Sequence, residues 1–375
     1  MPNQYFATVA RGLEKVAAEE LRKLNAKNIE ITFAGVHFQG DKSLLYRVNI
    51  WSRTVFRFLM PILTIKCNDE LELYNNVNKI DWSQYLRTEQ TFAVNCTGKN
   101  LKLNHTHFTA LQIKNSIVDQ QRLRFNKRSI IDTKNPNILI NAHIDKNSCI
   151  LSLDSSGNSL HRRGYRTAMG FAPIKESLAS ALLDIAEWTP DICLLDPMCG
   201  SGTIHIEATL KSLNIAVGLN RKSFGFQFWQ DFDEKLYKTI INEAVEKQRK
   251  KLKAPIFGYD CDLSVIEQAK INAKQCNIEK HIYFIQTVLK DIEAPADRGM
   301  IICNPPYGKR IGDTKELGKL YKLLGDILKQ RFKGWVAYIL SGDKELIKQI
   351  GLRASSRTSI YNGSLNCTLL KYDLY

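Results

Sequence analysis

The chain has 375 residues, 44% of them hydrophobic, and a formal net charge of +15. That length exceeds one ordinary domain and predicts two or three. The charge favours a polyanionic partner such as RNA, DNA or an acidic membrane surface. No run of about 18 apolar residues occurs, which excludes a membrane-spanning helix. The N-terminus lacks the basic, apolar, small-residue succession of a signal peptide, so the expectation is a cytoplasmic protein with no membrane partner.

Nine cysteines stand singly, without a Cys-x-x-Cys pair, in apolar runs such as those around Cys193, Cys303 and Cys367. They read as reduced, buried thiols. Ligand pairs at zinc spacing are missing, so no metal is expected.

In chain order, a strand at 5–9 precedes an amphipathic helix opened by Gly12, whose Leu13, Val16, Ala17, Leu21 and Leu24 share one face. Strands at 29–33 and 36–39 and a helix from Ser43 complete a small βαββα unit. A second α+β unit starts near Leu59. It has a short helix at 69–78, an alternating strand at Phe92, Val94 and Cys96, a long helix at 106–124, and strands at 138–144 and 149–154.

From about Ser177 helices alternate with short apolar strands, at 192–195, 256–259, 282–286, 300–303 and 335–340. That alternation predicts a Rossmann-like α/β domain with a mostly parallel sheet. It ends in an antiparallel hairpin, 358–361 and 365–372, turned by Asn362-Gly363. The divisions predicted are 1–58, 59–157, a basic hinge at 158–176, and an α/β domain at 177–375.

The first strand of that domain runs into Asp196-Pro197-Met198-Cys199-Gly200-Ser201-Gly202-Thr203. Glycines let a backbone approach a ligand closely, and the helix that follows offers free N–H donors. A dinucleotide loop would carry a third glycine, but His205 holds that position, and Asp196 would repel a pyrophosphate. An aspartate suits a cation, and S-adenosylmethionine carries an ammonium and a sulfonium without phosphate. It is therefore preferred to NAD.

Asp260, at the tip of the next strand, is placed to accept from ribose hydroxyls. The spacing exceeds the usual gap of about 20 residues and implies an insertion at roughly 215–253. Its Lys247, Arg249, Lys250, Lys251 and Lys253 could touch RNA or simply form a solvated face. Asp291 could accept from an adenine amino group, or be an ordinary loop aspartate.

About a hundred residues after the loop stands Asn304-Pro305-Pro306-Tyr307. An exocyclic ring amine is a poor nucleophile, because its lone pair is delocalised. Two acceptors, the Asn304 side-chain oxygen and the Pro305 carbonyl, can fix such an amine in line with a methyl donor. The prolines remove competing donors. The Tyr307 ring, rather than its hydroxyl, would stack on the base. Catalysis would then be mainly positioning.

Continuing as Gly308-Lys309-Arg310, the tetrapeptide resembles the class I amino-methyltransferases. The stretches 160–166 and 172–176 resemble the bacterial RlmL/YpsC group of guanine-N2 rRNA methyltransferases. That resemblance covers nearly the whole chain. It implies a class I methyltransferase fold preceded by a ferredoxin-like segment and a THUMP RNA-binding domain. It also implies that Asp196, Pro197, Gly200, Gly202, Thr203, Asp260, Asp291 and Asn304 hold S-adenosylmethionine, and that Asn304, Pro305, Pro306 and Tyr307 hold the base. Some relatives continue into a second methyltransferase domain. The chain ends at Tyr375, so the expectation is that no second activity is present.

Lys99, Lys102, Lys114, Arg122, Arg124, Lys127 and Arg128 crowd the THUMP region, Arg162, Arg163 and Arg166 the hinge, and Lys309 and Arg310 the loop after the tetrapeptide. They are candidate phosphate contacts as a set; any one alone reads better as a solvated surface charge. The activity expected is methylation of a guanine N2 in large-subunit rRNA. Alternatives are the same chemistry on tRNA guanine, DNA adenine or a protein glutamine, or a non-catalytic RNA-binding assembly factor. The oligomeric state, monomer or homodimer, is not legible.

Overall fold

The computed structural model describes residues 3–166, 174–307 and 314–375. They form two compact units: 1–8, 20–160 and 221–241 in the first, 9–19, 161–220 and 242–375 in the second.

The first unit is built on one sheet. Its strands are β1 (Asn3–Thr8), β2 (Lys27–Thr32), β3 (Gly35–Gly40), β4 (Arg57–Lys66), β5 (Thr91–Lys99), β6 (Ile130–Ile131), β7 (Ile138–Asp145) and β8 (Ser148–Asp154). They lie in the order β2-β3-β1-β4-β8-β7-β5-β6. The two small α+β segments expected from the sequence thus share eight strands. The joint is the antiparallel pairing of Phe6 with Leu59, Ala7 with Phe58 and Thr8 with Arg57.

Strand β4 has no counterpart among the predicted strands, and it carries Pro61, a residue that central strands disfavour. The sheet accommodates the proline at an irregularity. The β4–β8 register shifts between Pro61 and Leu63, and β1 pairs β4 only as far as Leu59. The missing N–H therefore costs no ladder bond to β1.

Part of the predicted insertion also folds here. The Phe226 ring stacks on Tyr46 at 4.3 Å between centroids, with Phe232 and Tyr237 packed around it. The Asp233 N–H donates to the Tyr46 hydroxyl at 3.0 Å, and Lys42 pairs with Asp231 at 2.8 Å. Gln90 and Gln230 cap carbonyls of Phe228 and Ser83 at 2.7 Å each. The basic run from Lys247 to Lys253 is exposed, apart from half-buried Leu252.

The second unit holds a seven-stranded sheet: β9 (Leu194–Asp196), β10 (Ile256–Asp260), β11 (Tyr283–Gln286), β12 (Met300–Cys303), β13 (Val336–Ser341), β14 (Ser356–Asn362) and β15 (Leu365–Asp373). The order is β11-β10-β9-β12-β13-β15-β14. All pairings are parallel except those of β15, which runs antiparallel to β13 and β14. One apolar cluster, with Leu182, Ile204, Leu210 and Phe284, covers one face; another, with Leu324, Leu328, Phe332 and Trp335, covers the other. Covered on both faces, the central strands β9, β12 and β13 read as apolar runs rather than alternations. Chain order reverses between β9 and β12, and there the strand ends open a crevice.

The helix Thr203–Ser212, which follows β9, is anchored from behind by Glu207. Its carboxylate is fully buried. It accepts from Ser180 Oγ at 2.5 Å and Tyr165 Oη at 3.1 Å, and pairs with Arg163 Nε at 3.4 Å. Arg163 is 1% exposed, so the phosphate contact expected of it is corrected: the guanidinium neutralises a buried carboxylate. Removing one partner of a buried pair strands the other charge, at about 3–5 kcal/mol. Glu207→Ala and Arg163→Ala should each lower the unfolding free energy, measured by urea titration, by that order. Arg162→Ala, at an exposed position, should leave it unchanged.

Candidate functional site

A cavity of about 690 Å³ lies at the carboxyl ends of β9, β10 and β12, a size suited to a small-molecule ligand. Asp196, Pro197, Gly200, Thr203, Asp260, Asn304, Pro305, Pro306 and Tyr307 all line it, so most of the predicted cofactor and base residues converge.

Backbone hydrogen bonds shape the loop after β9. Asp196 Oδ1 accepts from the Met198 N–H at 2.9 Å, and the Cys199 N–H donates to the Tyr259 carbonyl at 2.8 Å. The Gly200 N–H donates to Asp260 Oδ2 at 3.0 Å, while Asp260 Oδ1 accepts from the Asp262 N–H at 3.1 Å. One carboxylate thus ties two strand-end loops together, with lone pairs left for a further donor. Asp262 caps the next helix, Leu263–Gln275, by accepting from the Ser264 N–H at 2.8 Å.

The two glycines of the loop do different work. Gly200 has φ +53° and nothing within 4 Å of where a Cβ would stand, so it faces open cavity. Gly202, at φ +77°, would drive a Cβ to 2.7 Å from the Phe284 ring and 3.0 Å from Ala269. It is outside the lining, and its expected contact with a ligand is corrected to close packing of helix on sheet. His205, in place of the third glycine, is buried with Nε2 3.0 Å from the Phe257 carbonyl. Burial pushes its pKa down to about 4, leaving it neutral.

Asp196 is 2% exposed. Burial, with the Asp260 charge adding, pushes its carboxyl up to about 7, against the opposing bonds from Cys303 and Met198. A cation beside it would reverse that shift.

Asn304 Oδ1 is buried and has no hydrogen-bond partner among the described residues. A carbonyl oxygen in that state normally finds a donor; here it belongs to a residue lining the cavity. The Tyr307 ring lies against Gly342, where a Cβ would approach it to 3.0 Å. Its hydroxyl accepts from Asn362 Nδ2 at 2.9 Å.

Several predicted residues fall elsewhere. Asp291 is exposed and outside the lining. The floor near β11 is instead Thr287 and Leu289, with Cys261 and Asp262 beside them. The chain turns after β11 so that Thr287 and Leu289, not Asp291, reach the crevice. Arg166 donates to the Ile174 carbonyl at 2.8 Å and Thr203 Oγ1 at 3.0 Å, supporting the loop rather than reaching outward. Lys114 is half-buried, bonded to Asn115. Lys99, Arg122, Arg124, Lys127, Arg128 and Arg162 are exposed. Lys309 and Arg310 lie outside the described residues. Among the cysteines, Cys261 is exposed and Cys96 half-buried, against the expectation of uniform burial. Asn362 and Leu365 also line the cavity. The sequence offered them only as hairpin residues.

Models of known families match the chain in three places: a ferredoxin-like domain of RlmL at 4–59, a THUMP domain at 67–154, and an RMKL-like methyltransferase domain at 163–371. A candidate RNA methyltransferase of Synechocystis sp. is 56% identical over 99% of this chain and 97% of its own length. The ribosomal RNA large subunit methyltransferase K/L of Syntrophotalea carbinolica is 41% identical; the chain spans 54% of that protein's length. The crystal structure of a candidate methyltransferase complexed with SAH superposes with a TM-score of 0.90, at 31% identity over 100% of this chain and 98% of that one. With a mostly parallel sheet whose order reverses at the cavity, and a matched family domain over more than half its residues, the chain belongs to the RMKL-like methyltransferase-domain family.

Proposed function

We propose that this chain binds S-adenosylmethionine in the cavity between β9, β10 and β12. It then methylates the exocyclic N2 amine of a guanine in large-subunit ribosomal RNA. The single observation that carries the reading is the buried Asn304 Oδ1, without a hydrogen-bond partner among the described residues, on a residue that lines the cavity. An acceptor held out of water without a donor calls for a ligand N–H. The names of the relatives, the basic composition and the THUMP match point to RNA.

The residues present fit the cofactor. Open space at Gly200 admits a ligand against the backbone, the Asp260 carboxylate faces it, and Asp196 meets positive charge. When bound, the cofactor supplies an electrophilic methyl group. Asn304 Oδ1 and the Pro305 carbonyl accept the two amine hydrogens of a base swung out of its stack. They thereby hold its nitrogen at one angle. The neighbouring proline nitrogens offer no donor that would compete, and the Tyr307 ring supplies a face for the base. The reaction is then a matter of alignment.

Three outcomes test this reading. Asn304→Ala should reduce methyl transfer by about 10² or more while S-adenosylmethionine affinity, by calorimetry, changes little. Wild-type activity would remove the assigned role, and N6-methyladenine as the product, by nucleoside mass spectrometry, would overturn guanine as substrate.

The second outcome is a pH effect. A cationic ligand favours ionised Asp196, whose proton is held up to about 7, so binding releases a proton. Affinity should rise with pH through about 7 and level off above it. Asp196→Asn should flatten that profile; an equally sloped profile in the variant would assign the titration elsewhere.

The third concerns phosphate contacts. Reversing Arg122, Arg124, Lys127 and Arg128, all exposed, to Glu should weaken RNA binding. It should also lower the slope of log affinity against log salt by roughly one per lost contact. An unchanged slope would place the RNA surface elsewhere.

A further inference from the structure

The hairpin that closes the sheet reaches the catalytic cavity. Asn362 pairs with Leu365 across β14 and β15, so the two-residue turn is Gly363-Ser364. The sequence signal placed the turn one residue earlier, at Asn362-Gly363. Gly363 has φ +65° and open space around it, and it takes the left-handed turn position. Asn362 is thereby kept as the last strand residue, and its side chain reaches out of the hairpin.

That side chain donates to the Tyr307 hydroxyl at 2.9 Å. Cys367, two positions along β15 from Leu365, brings Sγ to 3.5 Å from the same oxygen. The ring edge lies against Gly342, where a Cβ would come within 3.0 Å of Cε2 and 3.1 Å of Cδ2. Tyr307 is therefore held at its hydroxyl and along one edge, with the ring still lining the cavity. Asn362 and Leu365 form part of the same wall, and Leu365 is 58% exposed.

Resting on the reading that this cavity takes a target base, we propose that the hairpin tip is part of the base pocket and that Asn362 is a positioning residue. It fixes the plane of Tyr307 so that a stacked base presents its amine to Asn304. This corrects the expectation that only the ring of Tyr307 matters. A phenyl ring at 307 would keep its stacking area but lose the bond that sets its orientation.

The test is a double-mutant cycle on the full chain, using RNA substrate under single turnover. Asn362→Ala and Tyr307→Phe should each lower the methyl-transfer rate by about tenfold, the order of one lost hydrogen bond. S-adenosylmethionine affinity should be unchanged. Tyr307→Phe removes the Asn362 bond together with the Cys367 contact, so it contains the loss made by Asn362→Ala, and the double variant should be no slower than Tyr307→Phe alone. Effects that multiply, or a wild-type rate in either single variant, would overturn the proposal. If Asn362→Ala fails to fold, Tyr307→Phe, which leaves the hairpin intact, carries the rate test alone. A second readout needs no methyl transfer. With 3-fluorotyrosine placed at position 307 and S-adenosylhomocysteine added, the fluorine resonance should broaden or shift in Asn362→Ala. An unmoved resonance would show that Asn362 does not hold the ring. If wild-type protein methylates no guanine while the resonance does move, the functional reading fails and the contact stands.

Discussion

A buried carbonyl oxygen normally finds a donor, and Asn304 Oδ1, on a residue that lines the cavity, has none among the described residues. Strand β12 is wholly buried up to Cys303, so the chain reaches Asn304 from a rigid position. Two prolines follow, and neither nitrogen can donate to the oxygen. Tyr307, held by Asn362, closes the tetrapeptide. A buried acceptor can stay partnerless only if its surroundings cannot relax toward it. The paired β9–β12 and β12–β13 ladders supply that stiffness.

The same logic governs the charges on the cavity wall. Asp196 is buried with its nearest acidic neighbour, Asp260, also at the crevice. Neither has an ion-pair partner in the described residues. Where the unit buries a carboxylate for stability, at Glu207, it surrounds it with Arg163, Tyr165 and Ser180. A buried acid paired with a guanidinium is scaffold; Asp196, bonded only by the Met198 N–H and the Cys303 thiol among the described residues and bordering a cavity, suits a cation.

Much of this was legible in the sequence because it depends on local signals. Gly-x-Gly after an apolar run, and Asn-Pro-Pro-Tyr after another, mark strand ends by their own geometry. The parallel alternation then brings those ends together. The contacts that escaped depend on partners remote in sequence. Strand β4 carries Pro61, which the sheet tolerates because the β4–β8 register shifts beside it. The eight-stranded sheet depends on only three β1–β4 residue pairs. Asp291 was placed by counting from a strand end, but the short turn at Leu289–Asp291 directs Leu289 inward and Asp291 to solvent. Asn362 read as half of a turn dipeptide, and nothing in its neighbours names Tyr307.

Arginine shows most plainly where composition stops being informative. Arg162, Arg163 and Arg166 stand within five residues and look alike as a basic cluster. Arg162 is exposed, Arg163 is paired inside the core, and Arg166 bonds a carbonyl and Thr203 beside the cofactor loop. A guanidinium serves all three settings, because it stays charged and offers five donors in a fixed fork. What separates Arg163 and Arg166 is the group across the fold: Glu207 for the first, Glu176 and the start of the helix Thr203–Ser212 for the second. A net charge of +15 therefore overstates the surface available to RNA. The residues that could meet phosphate are those whose nearest anion is weak or absent. The exposed run from Arg122 to Arg128 meets that condition, since its ion pairs, Arg122 with Asp119 and Arg124 with Asp81, lie at the surface and contribute little to stability.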